Sequence, residues 1–275
     1  MNQDLSQIIA YLNKTRNLDF TGCRESMLER HISKRFIPTD SNGFSDYNAY
    51  IKAHPEELDN LIQVLTINVS WFFRDALTFE FLSGILDDLV KKKMEIGDRW
   101  FRVWSAGCST GEEAYSLAII INDFLHKEQR KFRLNIFATD IDNKALSIAE
   151  AGSYSAEAVQ NVKQGQIAAY FSLSGSKFEV DPSIKALVDF SYHDLLDRKN
   201  SSPPESVFGN FDLILCRNVL IYFDPEHQER IFDKFYKSLN KEGFLVLGES
   251  EVPVGKYKTH FVRENSCCRI YRKYL

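Results

Sequence analysis

The sequence lacks most of the features that would place it outside ordinary globular proteins. Its 275 residues include only 13 Gly and 7 Pro, too few for a collagenous or low-complexity chain. Five cysteines (Cys23, Cys108, Cys216, Cys267, Cys268) form no C-x-x-C pair and leave an odd count. That argues against a disulfide framework or a zinc site, and for reduced thiols in the cytoplasm. The longest apolar run near a helix, Leu117-Ala-Ile-Ile-Ile121, is far too short to cross a bilayer. The opening MNQDLSQIIAYLNK has none of the pattern of a signal peptide. An excess of either charge is also missing, since 34 basic residues face 38 acidic ones for a net −4. That balance argues against a strongly basic surface that coats nucleic acid and leaves room for a local basic patch. What is present is 44% apolar and 26% charged residues with 21 Phe, enough to build a large core. At about 150 residues per domain, one large domain or two unequal ones are expected.

Residues 1 to 95 read as helical. Ile8, Ile9 and Leu12, then Leu28, Ile32 and Phe36, then Leu58, Leu61, Ile62 and Leu65 recur at helical spacing. Breaks fall at Pro38 to Gly43 and at His54-Pro55. From residue 96 to 275 short apolar runs alternate with amphipathic helices, the signature of a parallel sheet with crossover helices. Two final runs, His260 to Arg263 and Cys267 to Tyr271, have no helix between them and are expected to pair as an antiparallel hairpin. A Ser174-Gly175 turn between two short strand-like runs predicts a small antiparallel β insert over about 168–192.

Chemistry is carried by motifs at successive strand ends. In Val103-Trp-Ser-Ala-Gly-Cys-Ser-Thr-Gly-Glu-Glu-Ala-Tyr115 a strand enters a loop with Gly107 and Gly111, and Glu112 and Glu113 open a helix. This is where an open α/β sheet binds a nucleotide-like ligand. The spacing is neither the dinucleotide fingerprint nor a phosphate loop, and two carboxylates would repel a phosphate. A ligand with positive charge beside a nucleoside suits them, although a helix that merely favours Glu at its start is the plain structural alternative. Asp140, closing the next strand, can accept ribose hydroxyls, while Asp142 suits a helix cap. Asp194 follows a further strand and could meet an adenine amine, or simply form a surface turn. Arg217, Asn218 and Tyr222 share the rim of the strand after that. In the helical part, Asn68, Ser70 and Arg74 lie among Trp71, Phe72 and Phe73, and an Arg held by aromatics is suited to orienting a carboxylate.

These residues resemble the CheR-type chemotaxis receptor methyltransferases, which transfer a methyl group from S-adenosylmethionine to receptor glutamates. The matching segments are TINVSWFFRD (66–75), RVWSAGCSTGEEAYSLA (102–118), ATDID (138–142), FDLILCRNVLIYFD (211–224) and GFLVLGESE (243–251), in family order across nearly the whole chain. Two departures, Ala114 for a common Pro and Trp71 before the Phe pair, remove no polar group that the chemistry needs. The implied fold is an all-α N-terminal domain (1–95) before a Rossmann-like α/β methyltransferase domain (96–275) with the β insert. The resemblance implies that Asn68, Ser70 and Arg74 reach the cofactor or substrate, and that Glu112 or Glu113 faces the methionine end. It also places Asp140 on the ribose, Asp194 and Leu195 at the adenine, and Arg217 and Asn218 in the rest of the pocket. Arg74 and Tyr222 would position the substrate carboxylate, and S-adenosylhomocysteine would be the product. No metal is implied.

A glutamate with a pKa of about 4.3 is ionised at neutral pH, so its carboxylate can attack a methyl group without a general base. The absence of a histidine-centred acid–base cluster agrees with this. Residues 1–36 carry six basic and four acidic groups, and 37–95 five basic and ten acidic. The resemblance therefore implies a monomer in the cytoplasm that docks on acidic receptor helices through Arg30, Lys34 and Arg35, without nucleic acid or membrane insertion. The compact turn at Ser174-Gly175 favours an enzyme that does not need a receptor tail peptide. Of the rivals, a nucleic-acid methyltransferase lacks its Asn-Pro-Pro-aromatic motif. An NAD oxidoreductase lacks the glycine fingerprint and has 33 residues from Gly107 to Asp140, against about 20. A non-catalytic S-adenosylmethionine-sensing module is the alternative of a different class.

Overall fold

The computed structural model describes residues 3–16, 18–127, 132–206 and 209–274. The chain forms two compact units, Met1–Asn68 with Leu220–Gln228, and Val69–Val219 with Glu229–Leu275.

The first unit is built on helices α1 (Gln3–Arg16), α2 (Glu25–Ile32), α3 (Phe44–Ala53) and α4 (Glu57–Thr66). Their buried positions follow the three- and four-residue spacing read in the sequence: Leu5, Ile8, Ile9 and Leu12; Leu28 and Ile32; Leu58, Leu61 and Leu65. The basic helix is shorter than its periodicity predicts, since α2 ends at Ile32 and a 3₁₀ turn carries Ser33–Arg35. Arg30 and Lys34 are exposed. Arg35 is not available in the same way: its Nε and Nη2 donate to Glu57 Oε1 and Oε2 at 2.6 and 2.9 Å. Tyr47 and Asn60 complete the hydrogen bonding of that buried carboxylate. The expectation that Arg35 belongs to a docking face is therefore corrected, because its fork is needed to neutralise an internal charge.

The second unit begins earlier than residue 96. Helix α5 (Ala76–Glu95) belongs to it, because Phe79, Leu82, Leu86, Leu89 and Val90 join one buried cluster with Phe101, Val103, Leu117 and Ile121. The expected boundary at 95/96 moves to 68/69 for that reason. The elements that follow are β1 (Trp100–Ala106), α6 (Glu112–Lys127), β2 (Arg133–Asp140), α7 (Asn143–Ala151), β3 (Ser153–Tyr154), α8 (Gln164–Tyr170), β4 (Phe171–Ser174), β5 (Lys177–Val180), α9 (Pro182–Lys185) and β6 (Val188–Tyr192). Then come β7 (Phe211–Cys216), α10 (Pro225–Ser238), β8 (Leu239–Leu247), α11 (Tyr257–His260), β9 (Phe261–Arg263) and β10 (Ile270–Lys273).

Seven strands form the main sheet in the order β6-β2-β1-β7-β8-β10-β9. The first five are mutually parallel, and β10 is antiparallel to both β8 and β9. The terminal hairpin forms as expected, although its second strand begins at Ile270 rather than at Cys267. One sheet face is covered by the α5/α6 cluster; the other packs Trp104 against Phe211 and Phe235 with ring centroids 5.5 and 5.4 Å apart. The chain runs outward from β1 through β2 to β6 and then returns to β7 on the other side of β1. Between β1 and β7 lies the switch point, where open sheets of this kind hold ligands outside the strand ends.

The β insert is real but differs in extent. Its sheet has the order β3-β5-β4, turning at Gly175 with φ +62°, as a hairpin with Gly first in the turn requires. Residues 188–192 lie outside it: β6 pairs in parallel with β2, Ile136 opposite Val188, and buries Val188 in the main core.

Candidate functional site

At the end of β1 the backbone must reverse sharply, and Gly107 and Gly111 take φ +79° and +93°. Packing reinforces the need for glycine, because a Cβ on Gly107 would lie 2.5 Å from Val219 Cγ2. The N–H groups of Gly107 and Cys108 both donate to the Thr139 carbonyl at 2.8 and 3.0 Å, tying the loop to the end of β2. Asp140 then receives Ser109 N–H on Oδ2 at 2.8 Å and Asp142 N–H on Oδ1 at 3.0 Å. Burial raises its pKa while those donors oppose the rise. Asp142 caps α7 through Lys144 N–H and Ala145 N–H, as its position predicts.

The two glutamates that open α6 have different surroundings. Glu112 is buried, accepts hydrogen bonds from Thr110 Oγ1 at 2.9 and 2.8 Å and from the Ser70 hydroxyl, and has its pKa raised by burial. Glu113 lies across the ends of β1 and β7: Ser105 Oγ donates to its Oε1 at 2.8 Å, and Arg217 Nη1 to its Oε2 at 3.2 Å. The carboxylate on the switch-point rim is therefore Glu113.

Arg217 is a hub rather than a free ligand-binding cation. Its side chain is 2% exposed, and Nη2 donates to the Arg74 carbonyl at 2.8 Å and to Asp75 Oδ2 at 2.6 Å. Segment 70–75 is held against the start of α6 by this hub, by Ser70 on Glu112, and by Phe73 N–H on Ser116 Oγ at 2.9 Å. Phe73 and Asp75, on either side of Arg74, have φ 53° and 59°. Two non-glycine residues in the left-handed region cost about 1–3 kcal/mol each, and such strain gathers at functional sites. Arg74 itself is stacked over Trp71 at 4.8 Å and donates to the Val69 carbonyl at 3.0 Å. It has no carboxylate partner among the described residues.

Asn218 closes the rim beyond β7, with φ 61° and a buried Oδ1 that has no hydrogen-bond partner. The Asp194 position is a tight turn, in which Leu196 N–H donates to Asp194 Oδ1 at 2.7 Å, with Leu195 buried beside it. That turn is joined to the end of β2 by His193 N–H on the Asp140 carbonyl at 3.0 Å. The structure thus brings together Ser70, Arg74, Glu112, Glu113, Arg217 and Asn218, and places the Asp194 turn next to Asp140.

Asn68 and Tyr222 are grouped otherwise. Both fall in the helical unit, where Asn68 Nδ2 donates to Thr66 Oγ1 at 3.2 Å and Arg24 N–H to the Tyr222 carbonyl at 2.9 Å. Further bonds from Asp224 N–H to Gly22 and from Arg24 Nε to Phe223 fasten that turn to the N-terminal helices. Sequence reasoning missed Asp75 as a partner of Arg217. It also missed Glu251, whose carboxylate accepts the N–H groups of Asn218, Val219 and Gly248. The available signal was the run Gly248-Glu-Ser-Glu251 directly after the last parallel strand.

A strand-end carboxylate, a second carboxylate on the β1/β7 rim and an unbonded amide oxygen fit a ligand with ribose hydroxyls and a cationic amino-acid end. No group of His, Cys, Asp and Glu that could hold a metal ion occurs among the described residues.

Comparisons with known proteins give the family. The CheR methyltransferase SAM-binding domain matches residues 68–268, and the CheR methyltransferase all-alpha domain residues 3–66. A chemotaxis protein methyltransferase from Borreliella burgdorferi is 29% identical over 94% of this chain and 91% of its own. Chemotaxis protein methyltransferase 2 of Vibrio cholerae is 31% identical over 90% of this chain and 85% of its own. Among solved structures, a SAM-dependent methyltransferase from Methanosarcina mazei aligns with TM-score 0.31 at 17% identity, over 55% of this chain and 52% of that one. With a family match that takes in both the helical segment and the strand-end carboxylates, the chain belongs to the CheR methyltransferase family, and its cofactor is S-adenosylmethionine.

Proposed function

We propose that this methyltransferase esterifies glutamate side chains on the cytoplasmic helices of chemotaxis receptors. The observation that carries the reading is Arg74. It is a half-buried guanidinium, fixed by Trp71 and its own loop, and free of any carboxylate partner among the described residues. Arg217, in contrast, is already neutralised by Glu113 and Asp75. A cation held ready in this way suits a carboxylate substrate.

When bound, the cofactor supplies a methyl group on a positively charged sulfur. Asp140 would hold its ribose and Glu113 its amino group, with Asn218 on the rim and the Asp194–Leu195 turn at the adenine. Glu112, with Ser70 and Thr110, keeps segment 70–75 in place. The substrate glutamate arrives ionised, so the protein has no proton to remove. Its task is to orient the carboxylate through Arg74 and to exclude water, and orientation alone is worth a large share of the barrier. Tyr222 has a part in placing the substrate on the strength of the resemblance. Arg30 and Lys34, both exposed, supply the basic face for an acidic receptor helix.

Arg74→Ala tests the reading. Methyl transfer to a receptor domain is expected to fall at least about a hundredfold, the loss of a charge-assisted contact made in the transition state, with cofactor affinity nearly unchanged. Equal turnover by Arg74→Ala and wild type would refute the role.

A further inference from the structure

Glu251 is buried, 4% exposed, and lies past the end of β8, at the close of the family-matching segment 243–251. Its Oε2 accepts Gly248 N–H at 2.7 Å and Asn218 N–H at 2.9 Å, and its Oε1 accepts Val219 N–H at 2.9 Å. One carboxylate thus binds three backbone donors on two loops, those leaving β7 and β8. Asn218 stands in the left-handed region, and consecutive N–H groups around such a residue form a concavity that favours an anion. Here the chain fills that concavity with its own carboxylate.

The fit leaves no slack. A Cβ on Gly248 would meet Asn218 N and Glu251 Oε2 at 2.8 Å each, so only glycine lets the two loops come this close. Val219, held by the same carboxylate, packs its Cγ2 against Gly107 of the glycine loop. Asn218 Oδ1, buried and without a partner, keeps its place on the rim only while this backbone is fixed.

We propose that Glu251 is the positioning residue of the cofactor pocket, acting through the backbone of Asn218 and Val219. The proposal rests on the reading that Asn218 lines that pocket. Glu251→Gln keeps the volume but turns an acceptor into a donor facing N–H groups.

Calorimetric titration with S-adenosylhomocysteine tests this on the intact chain. Glu251→Gln is expected to weaken binding about ten- to a hundredfold. It should raise KM for the cofactor, while kcat at saturation stays within about threefold of wild type. Asn218→Ala is expected to weaken binding as well. Wild-type binding by Glu251→Gln beside weakened binding by Asn218→Ala overturns the proposal alone. Wild-type binding by Asn218→Ala removes the pocket reading and the proposal with it. If Glu251→Gln does not fold, two further measurements decide. Gly248→Ala, which keeps the carboxylate but crowds both its Oε2 and Asn218 N, should weaken binding similarly. In the wild-type protein the amides of Asn218, Val219 and Gly248 should resist hydrogen exchange, and exchange at open-loop rates overturns the proposal.

Discussion

Arg217 and Glu113 meet at 3.2 Å across the carboxyl ends of β7 and β1, and the same guanidinium holds Asp75 at 2.6 Å. One buried cation is thereby shared by two carboxylates from different segments. The trio keeps a net negative charge at the switch point, which suits a cationic cofactor, and it fixes the strained turn that presents Arg74.

Removing the hub should therefore cost stability as well as activity. Arg217→Met is expected to destabilise the protein by about 1–3 kcal/mol, the cost of leaving partly buried carboxylates without their hydrogen-bond partner. Urea unfolding measures this. A double-mutant cycle with Glu113→Gln should show a coupling of about 1–3 kcal/mol, and additive effects would contradict the pairing.

Asp140 accepts Ser109 N–H and Asp142 N–H, and the proposed function also gives it the cofactor's ribose. Asp140→Asn places a donor where the loop offers one. Binding of S-adenosylhomocysteine should weaken about ten- to a hundredfold, as read by calorimetry.

His193 gives a pH signature. Burial lowers its pKa to about 4, beside Trp104 and near Lys234. The unfolded chain, with an ordinary His pKa of about 6.5, binds the proton more readily, so stability is full above that pH and falls as pH drops towards 4. The loss is on the order of 2–3 kcal/mol. His193→Phe, which keeps a ring against Trp104, should flatten the profile in that window when unfolding is followed across pH.

Arg30, Lys34 and Arg35 should separate into two classes. Charge reversal at Arg30 and Lys34 is expected to slow receptor methylation at low salt and matter less at high salt, where exposed charges are screened. Arg35→Ala should instead lower the melting temperature, because it strands the buried Glu57 carboxylate. Thermal melts and initial rates at two ionic strengths distinguish them.

The sequence made the strand-end chemistry legible because β1, β2 and β7 each end at a polar motif, and the order of motifs tracks the sheet. Asp142 as a cap and Gly107 at a sharp turn follow from local rules. The different surroundings of Glu112 and Glu113 were not legible, since adjacent residues on a helix start differ only in which neighbours they meet. Arg217 supplies that difference from 104 positions away. The domain boundary was misplaced for a similar reason: α5 is helical like its predecessors, and only its packing with Phe101 and Ile121 reveals which core it joins. Arg35 reads like its exposed neighbours in the sequence, and only the fold sets it against Glu57.

The most direct test of the central claim is transfer of a labelled methyl group from S-adenosylmethionine to a purified receptor cytoplasmic domain, followed by mild base. The account predicts label on glutamate side chains, released as methanol, in wild type and nearly absent in Arg74→Ala. Label that survives base, or cofactor binding with no transfer to any receptor domain, would contradict it.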